Sequence, residues 1–221
     1  MAFVDFLSSH HNRTSRDYLA RVTQVDKAAC AEVAIQYGYD YWDGDRAFGY
    51  GGYVYDGRWY GVAERMARHY GLAEDARILD VGCGKGFLLY EFTRVLPRCT
   101  VAGLDISRYA IDNAKQEVRP RLVAGTAAEL PWPDDSFDFV VSINTLHNLY
   151  NYDLWSAILE IERVGRGPAK HITVESYRDE REKVNLLYWQ LTCRAFHTPA
   201  EWAWLFGQAG YSGDWGFIFF E

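Results

Sequence analysis

The chain has 221 residues, a net charge of -7 and 49% hydrophobic residues. That length fits one large α/β domain or one domain with an extension, and the acid excess disfavours a nucleic-acid binder, which usually carries a basic patch. No apolar run reaches the roughly 18 residues of a membrane span, and Cys30, Cys83, Cys99 and Cys193 form no C-x-x-C pair that would suggest zinc or a disulfide framework.

Residues 1–36 read as helical and mixed in charge. Residues 37–60 differ sharply, with ten aromatics, six glycines and four aspartates. Trp59, Val62, Met66 and Tyr70 then recur at helical spacing, up to Gly71. From Arg77 onward the pattern alternates strand and helix, which predicts a parallel sheet with crossover helices. Strands are expected at about 77–81, 100–105, 121–124, 137–143 and 171–175, with one more at 215–220. Ser107 is placed to cap a helix. Thr198-Pro199-Ala200-Glu201 reads as a capping box with proline at the first helical position. The expected fold is a Rossmann-like, doubly wound α/β sheet, mostly parallel, of six or seven strands. The expected division is a helical and aromatic extension over 1–72 and a ligand-binding domain over 73–221.

The first strand ends in Asp80-Val81-Gly82-Cys83-Gly84-Lys85-Gly86-Phe87. Glycines at alternate positions let backbone approach a ligand. Asp80 lies at the carboxyl end of the strand, where open α/β sheets bind ligands. A carboxylate there suits a ligand with a cationic part rather than a bare phosphate. The spacing matches neither G-x-G-x-x-G nor G-x-x-x-x-G-K-[ST]. Asp105 ends the second strand, 19 residues after Gly86, close to the spacing expected of an acid that binds ribose hydroxyls.

The D-x-G-x-G-x-G turn, Asp105, and Gly125-Thr126-Ala127-Ala128-Glu129-Leu130-Pro131 through Asp138 together resemble the class I S-adenosylmethionine-dependent methyltransferases, over about 145 residues. The resemblance implies S-adenosylmethionine as cofactor, held by Asp80, Gly82, Gly84, Gly86, Asp105, Ile106, Thr126, Ala127 and Asn144. Thr126 departs from the family, which usually has an acid there. Arg58 is the candidate for the methionyl carboxylate.

On the acceptor side, His147 leaves the fourth strand and Glu175 ends the fifth. His147 is a candidate general base, or a histidine packed for shape. Glu175 is a second base or cation partner, or a paired strand end. Tyr50, Tyr53, Tyr55, Trp59 and Tyr177 are candidate acceptor contacts. Segment 37–60 reads as a lid, or as an extension packed on the core. The expected activity is methyl transfer to N or O of a small molecule: a sugar, a nucleotide-linked sugar or a small amine. A cofactor-binding protein without turnover and a macromolecule methyltransferase are the alternatives. No metal, nucleic-acid or membrane partner is expected. Scattered thiols and a leader-free Met1–Arg13 make the cytoplasm the expected compartment.

Overall fold

The computed structural model describes residues 2–7 and 17–221. Six strands, β1 Arg77–Val81, β2 Thr100–Asp105, β3 Leu122–Ala124, β4 Phe139–Ile143, β5 Lys170–Glu175 and β6 Asp214–Ile218, form one sheet. Their order is β3-β2-β1-β4-β5-β6, and every pairing is parallel. The fold is therefore a Rossmann-like α/β sheet of six strands among the described residues. The outer edge of β6 is covered instead by extended residues 2–4. Val4 N–H donates to the Trp215 carbonyl, and Trp215 N–H to that of Ala2. That contact shields an edge that would otherwise be open to pairing.

Ahead of the sheet lie helices α1 Ala20–Thr23, α2 Lys27–Ala34, α3 Tyr39–Trp42 and α4 Tyr60–His69. The part of the expected N-terminal helical region that falls on 8–16, with His10 and His11, lies outside the described residues. The rest of the helices are α5 Phe87–Val95, α6 Arg108–Asp112, α7 Asn151–Val164, α8 Glu180–Trp189 and α9 Pro199–Gln208. The capping box forms with both of its hydrogen bonds, and Ser107 accepts from Ala110 N–H. Helix α8 has only Glu182 and Leu186 buried, so it carries no clear apolar stripe.

Successive strand residues feed opposite faces, as the period of two requires. Ile78, Val101, Phe139 and Val141 pack with Met66 and Phe92, from α4 and α5. Leu79, Leu104, Val140 and Ile172 pack with Ile158 and Trp202, from α7 and α9. Fully burying each such side chain stabilises the fold by roughly 1.5–3 kcal/mol. The two cores hold the carboxyl edge of the sheet as a fixed platform. Since β1 and β4 are neighbours while the chain winds outward from both, their carboxyl ends open the crevice where ligands bind in such sheets.

Candidate active site

A cavity of about 200 Å3 occupies that crevice. Asp80 and Gly82–Gly84 reach it from β1, Asp105 and Ile106 from β2, Gly125–Ala127 from β3, and Ile143–Thr145 from β4. Its acids are out of water: Asp80 is 4% exposed and Asp105 7%. Burial, with the Asp105 charge adding to it, pushes the Asp80 carboxyl up to about 8. Burial also raises Asp105, against two hydrogen bonds that favour its charge. These come from Gly84 N–H at 2.7 Å and Ser107 N–H at 2.8 Å. Desolvated carboxylates of this kind mark a site that awaits a cation or a hydroxyl donor.

The glycine turn serves packing as much as ligand approach. Gly82, Gly84 and Gly86 all have positive φ. A Cβ at Gly82 would lie 1.9 Å from Thr145 Oγ1, and one at Gly84 2.9 Å from the Trp42 ring. At Gly86 it would lie 2.8 Å from Val118, and Gly86 does not line the cavity.

Segment 37–60 roofs the cavity. The Trp42 ring is stacked on Tyr50 at 5.3 Å, and its Nε1 donates to Ser107 Oγ at 2.9 Å. Lys85, inside the glycine turn, donates to both Asp43 oxygens at 2.7 Å and to the Tyr53 carbonyl at 2.9 Å. Tyr109 OH also donates to Asp43. Burial opposes the charge on Asp43, but the hydrogen bonds from Lys85 and Tyr109 outweigh it and hold the carboxyl below its ordinary value.

A second cavity, of about 420 Å3, shares Tyr41, Tyr50, Tyr53, Trp59 and Asn144 with the first. His147 and Glu175 lie in its wall. They are 2% and 4% exposed, and His147 Nε2 is 3.3 Å from Glu175 Oε2. Burial pushes the imidazole down to about 3, so the ring is neutral. Its Nδ1 accepts the Glu175 N–H at 3.2 Å. The ring proton therefore sits on Nε2, facing the carboxylate. With one nitrogen engaged and the other protonated, His147 has no free site for a substrate proton. Gln190 Nε2 donates to Glu175 Oε1.

A family model described as "Methyltransferase domain" matches residues 79–170. That stretch is similar to the S-adenosylmethionine-dependent methyltransferases. The chain is 29% identical over 125 residues to the uncharacterized methyltransferase YcgJ of Bacillus subtilis (strain 168), covering 54% of this chain and 45% of that protein. It is 32% identical over 116 residues to the demethylmenaquinone methyltransferase of Roseiflexus sp. (strain RS-1), covering 51% and 48%. The chain spans about half the length of the curated relatives it matches. Among solved structures, it is similar in fold to a complex of the Haloferax volcanii Trm112 methyltransferase activator with its putative methyltransferase. That likeness has a TM-score of 0.59 and 20% identity, over 89% of this chain and 77% of the other.

The cofactor of such methyltransferase domains is S-adenosylmethionine, and the first cavity suits it. Its acids match an ammonium and ribose hydroxyls, and the exposed Ile106 side chain offers an apolar face to a ring. Asn144 adds an independent sign. It holds a left-handed φ of 56°, and its buried Oδ1 has no hydrogen-bond partner among the described residues. A strained backbone with an orphaned acceptor is what a ligand clamp looks like before its ligand binds. Asn144→Gly keeps the left-handed turn without strain but removes the acceptor. Its apo Tm should hold or rise slightly, while affinity for S-adenosylhomocysteine should drop about tenfold; an unchanged affinity by calorimetry would remove Asn144 from the site.

Besides Gly86, His147 and Glu175, three expected positions lie away from the first cavity. Arg58 edges the second cavity, not the first, with its Nη2 2.5 Å from Asp56 and its side chain 63% exposed. Tyr55 turns outward, donating to Glu91 Oε1 at 2.8 Å beside Tyr90. Tyr177 packs on the first core, with Lys183 over its ring. Neither tyrosine lines either of these two cavities, because side-chain direction in an irregular segment follows no period. Conversely, Tyr37, Tyr41 and Trp42 join the wall. The aromatic richness of 37–60 was the only local signal for them.

Proposed function

We propose that this chain transfers a methyl group from S-adenosylmethionine to an N or O of a small acceptor held in the second cavity. The observation that carries this reading is the shared wall: the donor cavity adjoins a larger one beneath the same aromatic roof. Asp80 would hold the donor's ammonium, Asp105 its ribose, and Ile106, Thr126 and Ala127 its adenine. Thr126 Oγ1 already accepts Ala128 N–H at 3.2 Å and keeps a second lone pair. Bound there, S-adenosylmethionine supplies a methyl group on a sulfonium, an excellent leaving group. The protein must then align the acceptor and keep water out. Alignment alone can lower the barrier by about 7–11 kcal/mol. Segment 37–60 is the lid in this reading, its rings facing a cationic donor.

Glu175 takes the proton of a neutral acceptor, and His147 with Gln190 orients its carboxylate. Incubation with methyl-labelled cofactor and a fractionated metabolite extract tests the activity. Label should enter a low-molecular-weight acceptor; label confined to protein or RNA would favour the macromolecular alternative, and none would favour a binding protein without turnover. With an acceptor in hand, Glu175→Gln should lower kcat by about 10²–10⁴. It should also flatten the acidic limb of the pH profile and leave cofactor affinity intact. A kcat within a few-fold of wild type would assign Glu175 to structure.

A further inference from the structure

The second cavity carries an unexpected charge for an acidic chain. Arg21, from α1, and Arg46, from the loop after α3, both lie in its wall. Both guanidinium groups sit over one ring, Trp189 at the end of α8, at 5.7 and 5.3 Å. Arg21 Nη1 donates to the Arg46 carbonyl at 3.0 Å, and Arg46 Nη1 donates to that of Gly49. Among the described residues neither arginine forms an ion pair, and residues 8–16 contain no aspartate or glutamate. The buried Arg21 Nε has no hydrogen-bond partner among the described residues. Burial, and then the Arg46 charge, lower the Arg21 pKa. Of the acids in the same cavity, Asp56 pairs with Arg58 at 2.5 Å, and Glu175 lies beside Gln190 and His147.

Two adjacent cations, Arg21 partly buried and Arg46 exposed, repel each other unless an anion joins them. Guanidinium forks match the planar or tetrahedral oxygens of carboxylate and phosphate. Resting on the proposed function above, we propose that Arg21 and Arg46 form an anion subsite of the acceptor cavity, so that the acceptor carries a phosphate or a carboxylate group. Of the acceptor classes considered, this favours a nucleotide-linked sugar or an amino acid-like amine over a neutral sugar. The anchor sets which end of the acceptor enters first, and Trp189 holds both guanidiniums in place.

The test uses the whole chain saturated with S-adenosylhomocysteine, at constant ionic strength, titrated with pyrophosphate in one arm and succinate in the other. At least one probe should raise Tm saturably, and the arm that does so names the source chemistry. Arg21→Gln/Arg46→Gln should weaken that probe by about tenfold or more, and Arg46→Lys by less. Affinity of the double variant for S-adenosylhomocysteine should match wild type, which also shows that it folds. No saturable effect of either probe on wild type, or an equal effect on the double variant, overturns the subsite. Lost S-adenosylhomocysteine affinity in the double variant also overturns it, by assigning the arginines to the donor's carboxylate. Wild type that fails to bind S-adenosylhomocysteine at all would instead defeat the proposed function itself.

Discussion

Asp80→Asn is expected to stabilise the apo-protein and to destroy its affinity for the donor. The carboxyl has an ordinary value of 3.8 and is pushed up to about 8 in the fold. Between those values the native state keeps a proton that the unfolded chain releases. Stability from this group is therefore lost as pH rises from about 4 to 8, and is level above 8. At pH 7 the full linkage penalty is about 4 kcal/mol, and relaxation of the site brings it to roughly 2–4 kcal/mol. Asparagine has nothing to ionise and escapes this cost. For a chain of this size Tm should rise by roughly 5–10 °C at pH 7–8, with the difference shrinking toward pH 4. The same change removes the proposed partner of the donor's ammonium, and affinity for S-adenosylhomocysteine should fall by about 100-fold. Opposite signs for stability and binding separate a functional acid from a structural one. A variant with lower Tm at pH 8 would show that Asp80 supports the fold.

Lys85→Met should loosen the aromatic roof without unfolding the sheet. Lys85 is 6% exposed and grips both oxygens of Asp43. Removing one partner of a buried pair costs about 3–5 kcal/mol. Asp43 is 23% exposed and can turn to water when the segment lifts, so roughly 2–3 kcal/mol remains. Local opening of residues 37–60 should therefore rise by roughly 30–150-fold. Chymotrypsin reads this directly, since the segment is rich in aromatic residues and the core sites stay closed. Cleavage within 37–60 should accelerate while the global Tm changes little, and Asp43→Leu added to Lys85→Met should cost less than the sum of the single changes. Equal cleavage rates in wild type and Lys85→Met would mean that the stacked rings alone hold the roof.

Residues 77–143 were readable because local chemistry fixes them. Buried strands run to acids at their carboxyl ends, and glycines follow where positive φ is required. What stayed hidden depends on distance along the chain. Lys85 looks like a spacer within the glycine turn, and its partner Asp43 lies 42 positions upstream. His147 and Glu175 were each legible as edge residues. Only their 3.3 Å approach shows that the imidazole is neutral and turned toward the carboxylate. Arg58 fits the spacing of a carboxylate ligand, yet Asp56 two residues away takes it. Arg21 and Arg46 carry no motif and acquire meaning only when α8 brings Trp189 beneath them. Helix α8 itself was missed because a helix that buries so little shows no stripe.

On the proposed function, the first cavity is a donor site built around a protonated acid that a cation converts to a carboxylate. Calorimetric titration of S-adenosylhomocysteine at pH 7, in two buffers of different ionisation enthalpy, tests it most directly. Binding should release close to one proton, and affinity should climb about tenfold per pH unit below pH 8 and level off above it. Asp80→Asn should abolish the release. Absence of binding at millimolar ligand, or binding with no proton released at pH 7, would contradict it.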